Sequence, residues 1–454
     1  MIQQALPRDL SFIDLQRLAP ERYPLLLESV ADSKALSRWD FLFIANGEGL
    51  ICDAAGQTSD LAGKKMPGEF LNVLDSDWKN SQIKDGDKDG DSDIPFRGGW
   101  TLFLSYELAG QIESRLKLPV SSNPLPMALA LRCPAAVLRN KNTGEVFFIA
   151  EDGNEAMLSQ LQKDIVDMES LAPLAALSKP NVIDEEAPGK FLSGVDNIHQ
   201  YLRQGDTFQV NLSRAWRAEF AEPPEPASLY QSLCRHNPAP FAGSLIYKNW
   251  ALLSSSPERL VSSHGGDVQT RPIAGTRPRF PGDDDQDRIR ELVGHPKERA
   301  EHVMLIDLER NDLGRVCKPG SVHVDELMAV ESYAHVHHIV SNVRGHLRED
   351  VTPGQVIAAV FPGGTITGCP KVRCMEIIAE LEAEARGPYT GAFGYLNHNG
   401  DMDLNILIRS AWLSGNKCEL RAGAGIVVDS IGEHELLETR AKAKGLLRAL
   451  GAGA

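Results

Sequence analysis

The stretch Phe393-Gly-Tyr-Leu-Asn-His-Asn-Gly-Asp-Met-Asp-Leu sets two apolar runs around an Asn-Gly pair. Asn-Gly accepts the positive φ of a tight turn, so Phe393–Leu396 and the run Leu404–Leu413 read as an antiparallel hairpin. Outward from it the spacing predicts helices over Val372–Glu384 and Arg288–Glu309, and a last helix over Gly432–Leu450. That last helix opens acidic and closes basic, the order its dipole favours. Pro226–His236 and Gly189–Gln204 also read as helical. Strand patterns occupy Ala242–Tyr247, Ala251–Ser255 and Val268–Ile273. Further upstream Phe41–Ala45, Thr101–Ser105, Met127–Leu131 and Glu145–Ala150 read as strands, followed by a helix over Asn154–Met168. Strands and helices without strict βαβ alternation imply an α+β fold.

The Pro/Ala/Ser-rich stretch 171–188 reads as a linker between an N-terminal region, 1–170, and a catalytic body, 189–454. The chain has 454 residues and a net charge of −15, with 42 % hydrophobic and 24 % charged residues. That balance excludes wholesale disorder, and the acidity argues against a general nucleic-acid binder. No apolar run is long enough for a membrane span, and the first residues lack a secretory pattern. Seven scattered cysteines are no disulfide framework, so the chain reads as cytoplasmic.

Several motifs carry chemistry, each beside a plainer alternative. Asp85-Gly-Asp-Lys-Asp-Gly resembles the start of a calcium loop, but its twelfth position is Phe96, so a solvated loop fits better. Gly363-Gly-Thr-Ile-Thr-Gly-Cys-Pro-Lys lacks the Lys directly after the second Gly that a nucleotide loop needs, though its N–H groups could meet an anion. His335, His337 and His338 cannot share one strand face, which disfavours a three-His zinc site. Glu298 with Glu301, and Glu435 with Glu438, are i,i+3 pairs on two expected helices; they suit either a hard cation or a solvated face. Glu258, just after an apolar strand, is either a buried general acid or a strand-end partner of Arg259.

Read together, Gly205-Asp-Thr-Phe-Gln-Val-Asn-Leu-Ser, Ser256-Pro-Glu-Arg, Arg271-Pro-Ile-Ala-Gly-Thr-Arg-Pro-Arg, Leu305-Ile-Asp-Leu-Glu-Arg-Asn-Asp-Leu-Gly-Arg-Val, Phe361-Pro-Gly-Gly-Thr-Ile-Thr-Gly-Cys-Pro-Lys-Val-Arg and Ala422-Gly-Ala-Gly-Ile-Val resemble the chorismate-utilising enzymes. The likeness is to the synthase subunits of aminodeoxychorismate and anthranilate synthases. It covers 189–450 in order, and Tyr23-Pro-Leu-Leu-Leu-Glu-Ser resembles the start of that family's N-terminal region. The resemblance implies two stacked antiparallel sheets with helices outside and chorismate in a central cleft.

The same resemblance implies roles for individual residues. Glu298, Glu301, Glu435 and Glu438 match ligands of Mg²⁺ on the ring carboxylate. Tyr395, Arg409, Lys442 and the backbone of Gly423, Ala424 and Gly425 match substrate-binding positions. Glu258 matches the general acid that protonates the departing C4 hydroxyl, and His338 and Thr276 match further site positions. Gln209 stands where water-adding relatives carry a Lys base, so ammonia is the expected nucleophile. Ala274 stands where aminodeoxychorismate synthases often carry a nucleophilic Lys.

Ile366-Thr-Gly, Ala239-Pro-Phe-Ala and Leu308-Glu-Arg-Asn resemble the aminodeoxychorismate branch, whereas Ala274 resembles the anthranilate branch. The expected activity is therefore amination of chorismate at C4 for 4-aminobenzoate and folate synthesis. Anthranilate formation is the alternative, and a non-catalytic chorismate- or tryptophan-binding protein is a third reading. Ammonia would come from a separate glutaminase subunit, because no Cys sits in a nucleophile-elbow context. Glu28, Ser29, Pro240 and Phe241 resemble the segments that hold feedback tryptophan.

Overall fold

Alternation along Glu145–Ala150 explains the layering. Phe147 and Ile149 pack into one apolar cluster with Phe41, Phe43, Leu129, Leu245 and Phe393, while Val146, Phe148 and Ala150 pack into another. A strand buried on both faces must lie in a sheet covered on both sides, each core side chain contributing ~1.5–3 kcal/mol of burial. The first cluster fills the space between two sheets. The second lies under the helices Phe12–Leu18, Glu155–Asp167, Pro226–His236 and Gly432–Ala449.

A computed structural model describes residues 1–31, 38–81, 94–278, 290, 296–332 and 336–452. The side chains of Ala274, Thr276, Arg277, Pro278, Pro296, Lys297, Glu298 and Val336 lie outside the description. So do His335 and the whole Asp-rich loop at 84–93. Among the described residues there are two antiparallel sheets, of twelve and eleven strands. The first runs Ile2–Leu6, Glu145–Ala150, Ala135–Asn140, Trp39–Ile44, Leu25–Glu28, Phe241–Tyr247, Trp250–Ser256, Ser410–Ser414, Lys417–Ile426, Gln209–Glu219, Val182–Glu185. The short strand Gly368–Cys369 adds to Gln209–Glu219.

The second sheet runs Ile273–Pro278, Val336–His346, Asp267–Arg271, Arg259–His264, Met402–Ile406, Ala392–Asn397, Gly99–Leu104, Ala128–Cys133, Gly49–Cys52, Thr58–Asp60. His323–Ser332 pairs with Val336–His346 off that path. Strands from before residue 171 and after residue 189 share both sheets, and the intervening stretch carries the edge strand Val182–Glu185. The two stacked antiparallel sheets agree with the expected α+β architecture.

Local chemistry fixes the elements around the cleft. The helix Pro188–Gln204 starts with Pro at its first turn and stops at Gly205, whose φ of 79° is the left-handed C-terminal cap. Together with Lys371–Glu382 it covers one face of Gln209–Glu219, burying Val210 and Leu212. The helix Pro296–Gly314 packs against Ile273–Pro278, Val336–His346 and the 3₁₀ turn Gly364–Ile366. Phe96, the twelfth position of the calcium-like loop, is a fully buried partner of Phe43 and Tyr395. No helix among the described residues is long and apolar enough to cross a membrane.

Candidate active site

Two of the points at which the chain changes sheets adjoin each other, and both carry a functional candidate. Trp250–Ser256 belongs to the first sheet and Arg259–His264 to the second, so Pro257 and Glu258 alone make the crossover. Met402–Ile406 belongs to the second sheet and Ser410–Ser414 to the first, so Arg409 ends a three-residue return. Backbone bonds hold the crossovers together: Ile406 N–H donates to the Glu258 carbonyl at 3.0 Å, and Ser255 N–H to the Arg409 carbonyl at 3.1 Å. Arg409 has φ of 53°, a left-handed conformation that costs a residue with a Cβ ~1 kcal/mol and is enriched at functional sites.

Glu258 is buried, and its carboxyl accepts the Ile273 N–H at 3.3 Å. The Thr365 hydroxyl faces it as well, without closing a bond of standard geometry. Burial pushes this carboxyl up to about 8, with repulsion from Glu309 adding and the Lys442 ammonium opposing. It therefore holds a proton at neutral pH. Arg259 does not neutralise it, because that guanidinium is spent on Asp403 at 2.8 and 2.9 Å. The strand-end ion pair is thus replaced by a protonated acid.

The floor of the cleft is built by the pairing of Gln209–Glu219 with Lys417–Ile426. Asn211 lies opposite Gly425 and Ser213 opposite Gly423, so these residues share one face. Leu212, Ala424 and Ile426 point the other way, into the helical layer. Ala424 can therefore serve a ligand only through its backbone. The glycines let polar side chains close in on the floor: a Cβ on Gly425 would come within 2.3 Å of Gln209 Nε2, and one on Gly423 within 2.7 Å of Asn211 Oδ1 and the Tyr389 hydroxyl. Gln209 Oε1 and Asn211 Oδ1 are buried acceptors with no hydrogen-bond partner, a deficit that a polar ligand would relieve.

Two cations border this floor. Lys442 Nζ lies 3.0 Å from the Gly423 carbonyl and 2.7 Å from Glu438 Oε1. Arg409 forms no ion pair among the described residues; burial lowers its pKa, with Tyr389 and Glu438 as its electrostatic neighbours. A buried guanidinium without a carboxylate partner is a ready anion site. His338 is buried beside Arg409 and bonded to the Gly275 backbone, and burial pulls it down to about 4, so it is neutral near pH 7. Two cations, the polar side chains of Gln209, Asn211 and Tyr389 over a glycine backbone, and one neutral carboxylic acid can bind a dianion and deliver a proton to it.

The expected residues are not all brought here. Tyr395 lies between the sheets, with ring centroids 5.3 and 5.7 Å from Phe41 and Phe43. Tyr389 is the tyrosine at the cleft, and burial pushes its hydroxyl up to about 12. Its position two residues before Gly391 carries no periodic signal, and only proximity to Gly423 reveals it. The Arg271 block places Ala274 opposite Ile339 and Thr276 opposite His338, while their side chains lie outside the described residues. The Gly-rich turn spends the Gly364 N–H on the chain's own carboxylate, Glu309.

Of the four carboxylates expected to hold a metal, Glu438 pairs with Lys442, and Glu301 and Glu435 are half-buried on their helices. The Glu298 side chain lies outside the described residues. No group of three or more His, Cys, Asp or Glu at metal-holding spacing occurs among the described residues. The donor set itself, carboxylate oxygens only, fits the chemistry of a hard cation such as Mg²⁺.

Glu28, Ser29, Pro240 and Phe241 do converge, on a second cavity of about 70 Å³ that Tyr395 also lines. Glu28 accepts the Tyr230 hydroxyl at 3.0 Å, and burial with repulsion from Asp40 raises it to about 7. A larger groove, about 780 Å³, runs between the helices Pro296–Gly314 and Lys371–Glu382 and reaches Phe208, next to Gln209.

A family described as chorismate binding enzymes matches residues 31–448. The chain belongs to this family. It is 42% identical over 363 residues to the anthranilate synthase component I-like protein of Synechocystis sp., covering 79% of this chain and 73% of that protein. To aminodeoxychorismate synthase component 1 of Bacillus subtilis it is 40% identical over 365 residues, covering 78% and 77%. Its fold is similar to the crystal structure of anthranilate synthase component I from Streptococcus pneumoniae, with a TM-score of 0.80, 31% identity, and coverage of 90% and 92%. As a chorismate-utilising enzyme, the chain acts on a substrate with two carboxylates, which matches a cleft bordered by Arg409 and Lys442.

Proposed function

We propose that this enzyme aminates chorismate at C4, forming 4-amino-4-deoxychorismate and water from chorismate and ammonia. The observation that carries the reading is the buried carboxyl of Glu258 at the sheet crossover, with no cation bonded to it among the described residues, beside a cleft with two cations. As the C4–O bond breaks, Glu258 passes its proton to the departing oxygen, which leaves as water. Ammonia forms the new C–N bond and loses a proton, which restores the acid. Gln209 cannot take a proton from water, which favours ammonia over hydration. A methyl at Ala274 offers no amine for a covalent adduct, so ammonia itself performs the displacement.

Glu298, Glu301, Glu435 and Glu438 would hold Mg²⁺, which when bound neutralises the ring carboxylate. Arg409 and Lys442 orient the substrate carboxylates, and the Tyr389 hydroxyl borders the same floor. A glutaminase subunit is the expected source of ammonia. Ile366-Thr-Gly and the likeness to the Bacillus subtilis protein favour C4. Ala274 favours a second reading, amination at C2 with release of pyruvate, giving anthranilate.

Tryptophan at Glu28, Ser29, Pro240 and Phe241 would need that cavity to widen, since about 70 Å³ is far below the ~300 Å³ of ordinary ligand pockets. Incubation with chorismate, Mg²⁺ and an ammonium salt tests the main reading. 4-Aminobenzoate appearing only after a lyase is added supports it, and anthranilate fluorescence without a lyase overturns it.

A further inference from the structure

One guanidinium bonds three separate segments around the cleft floor. Arg386 is buried, 2% exposed, and each of its five N–H groups has an acceptor. Nη2 reaches the Asn211 carbonyl and Glu382 Oε1, both at 2.7 Å, and Nε reaches Glu382 Oε2 at 3.0 Å. Nη1 reaches the Ile366 carbonyl at 3.1 Å and the Thr390 hydroxyl at 3.3 Å. The guanidinium also lies over the rings of Tyr106 and Tyr389, 4.9 and 5.5 Å from their centres. A rigid fork of five donors suits such a junction, and a lysine, with three, cannot reproduce it.

The segment 386–391 is held in a costly shape. Thr390 has φ of 64°, a left-handed conformation that a β-branched residue keeps only where its surroundings enforce it. Glu107 Oε1 accepts the N–H of Arg386 at 2.8 Å and that of Gly387 at 3.2 Å. Thr390 N–H donates to the Leu407 carbonyl at 2.9 Å, and Leu407 N–H to the Gly391 carbonyl at 2.8 Å. The segment is thereby tied to the return that ends at Arg409. Among these anchors sits Tyr389, whose hydroxyl borders Gly423 together with Asn211 Oδ1.

The charge of Arg386 is answered within the protein. Glu382 takes it in two bonds and also accepts the Ser213 N–H at 2.8 Å. Arg421 stands 3.4 Å from Glu382 and pairs with Glu384 at 2.9 Å, which Arg217 meets from the surface. Arg386 is therefore a brace, unlike Arg409, which has no carboxylate bonded to it among the described residues.

We propose that Arg386 is a positioning residue for chorismate, acting through Tyr389 and Asn211. It fixes the strained turn and the floor strand at one spacing, which aims the Tyr389 hydroxyl and the Asn211 side chain at the bound substrate. This rests on the glycine floor as the place where chorismate binds.

The test is chorismate affinity by isothermal titration with Mg²⁺, beside KM and kcat with ammonium, on full-length variants. Arg386→Lys should weaken chorismate binding about tenfold, the scale of one or two lost hydrogen bonds, with a smaller change in kcat. Tyr389→Phe added to Arg386→Lys should cost less than about twofold more, because the hydroxyl is already misplaced. Thr390→Gly takes the left-handed φ freely, so it should weaken binding with little change in melting temperature. That variant carries the test if Arg386→Lys does not fold. Leu161→Ala, in the helical layer, should lower the melting temperature and leave affinity alone. Wild-type affinity in Arg386→Lys or Thr390→Gly overturns the proposal, as does an equal loss of affinity in Leu161→Ala. Effects of Arg386→Lys and Tyr389→Phe that simply multiply overturn it too. Gly425→Ala separates the two levels. Unchanged affinity in that variant means chorismate binds elsewhere; weakened affinity there, with wild-type affinity in Arg386→Lys, sinks only the role of Arg386.

Discussion

Glu258 and Arg409 sit on neighbouring strand crossovers whose backbones are bonded to each other, Ile406 N–H to the Glu258 carbonyl and Ser255 N–H to the Arg409 carbonyl. An acid and a cation are thereby fixed to the framework at a place where the chain passes between the two sheets. Such placement holds catalytic groups in register without a large reorganisation cost, which is what proton delivery to a bound dianion requires.

The pH dependence follows from Glu258. Its acid form is required, and its folded value of about 8 lies above that of a free carboxyl. Turnover per free ammonia should be flat through neutrality and fall about tenfold per pH unit above the limb. Stability has the same sign: the raised group contributes most below its unfolded value, and that contribution fades as pH rises to about 8. Glu258→Gln should therefore melt higher than wild type at pH 8 and alike near pH 4, as read by thermal denaturation.

The glycine floor makes a second prediction. Gly425→Ala would drive a methyl to 2.3 Å from Gln209 Nε2, inside the ligand face of the sheet. The chorismate KM should rise at least tenfold while circular dichroism stays that of the wild type. An unchanged KM would place the ligand elsewhere.

The two tyrosines separate cleanly. Tyr389→Phe removes the hydroxyl next to Gly423 and should weaken chorismate binding several-fold, in the range of a lost hydrogen bond, ~0.5–1.5 kcal/mol. Tyr395→Phe alters the aromatic cluster between the sheets and should leave the chorismate KM alone. Steady-state kinetics of the pair checks both.

Chelation provides a further check. Removal of divalent cations with EDTA should abolish turnover, and Mg²⁺ should restore it. Glu435→Gln should raise the Mg²⁺ concentration needed for half-maximal activity. Full activity in excess chelator would remove the carboxylates from that role.

Much of the fold was legible because it rests on local pattern. The strand Glu145–Ala150 and the helix Pro226–His236 have the bounds that alternation and periodicity predict. The hairpin at Asn399-Gly400 forms, but its expected second run Leu404–Leu413 is split by the return at 407–409 into Met402–Ile406 and Ser410–Ser414 in different sheets. The long pair His323–Ser332 and Val336–His346 escaped notice because acidic residues and histidines interrupt its apolar alternation. Glu258 stands out from its place after an apolar strand, but the burial that raises its pKa, against the opposing contacts of Thr365 and Ile273, is assembled only by tertiary packing. Glu309 carries no signal of its burial in the sequence, since Gly364, whose N–H bonds it, lies more than fifty residues away. Tyr389 was missed for the same reason: its neighbour Gly423 belongs to another strand.

The split between turnover and binding in Glu258→Gln tests the central claim most directly. Isothermal titration and steady-state assays of one preparation, with Mg²⁺, chorismate and ammonium, measure both. The account predicts chorismate affinity within a few-fold of wild type and turnover reduced by ~10²–10⁴, the usual contribution of a general acid. Turnover at the wild-type rate would contradict it.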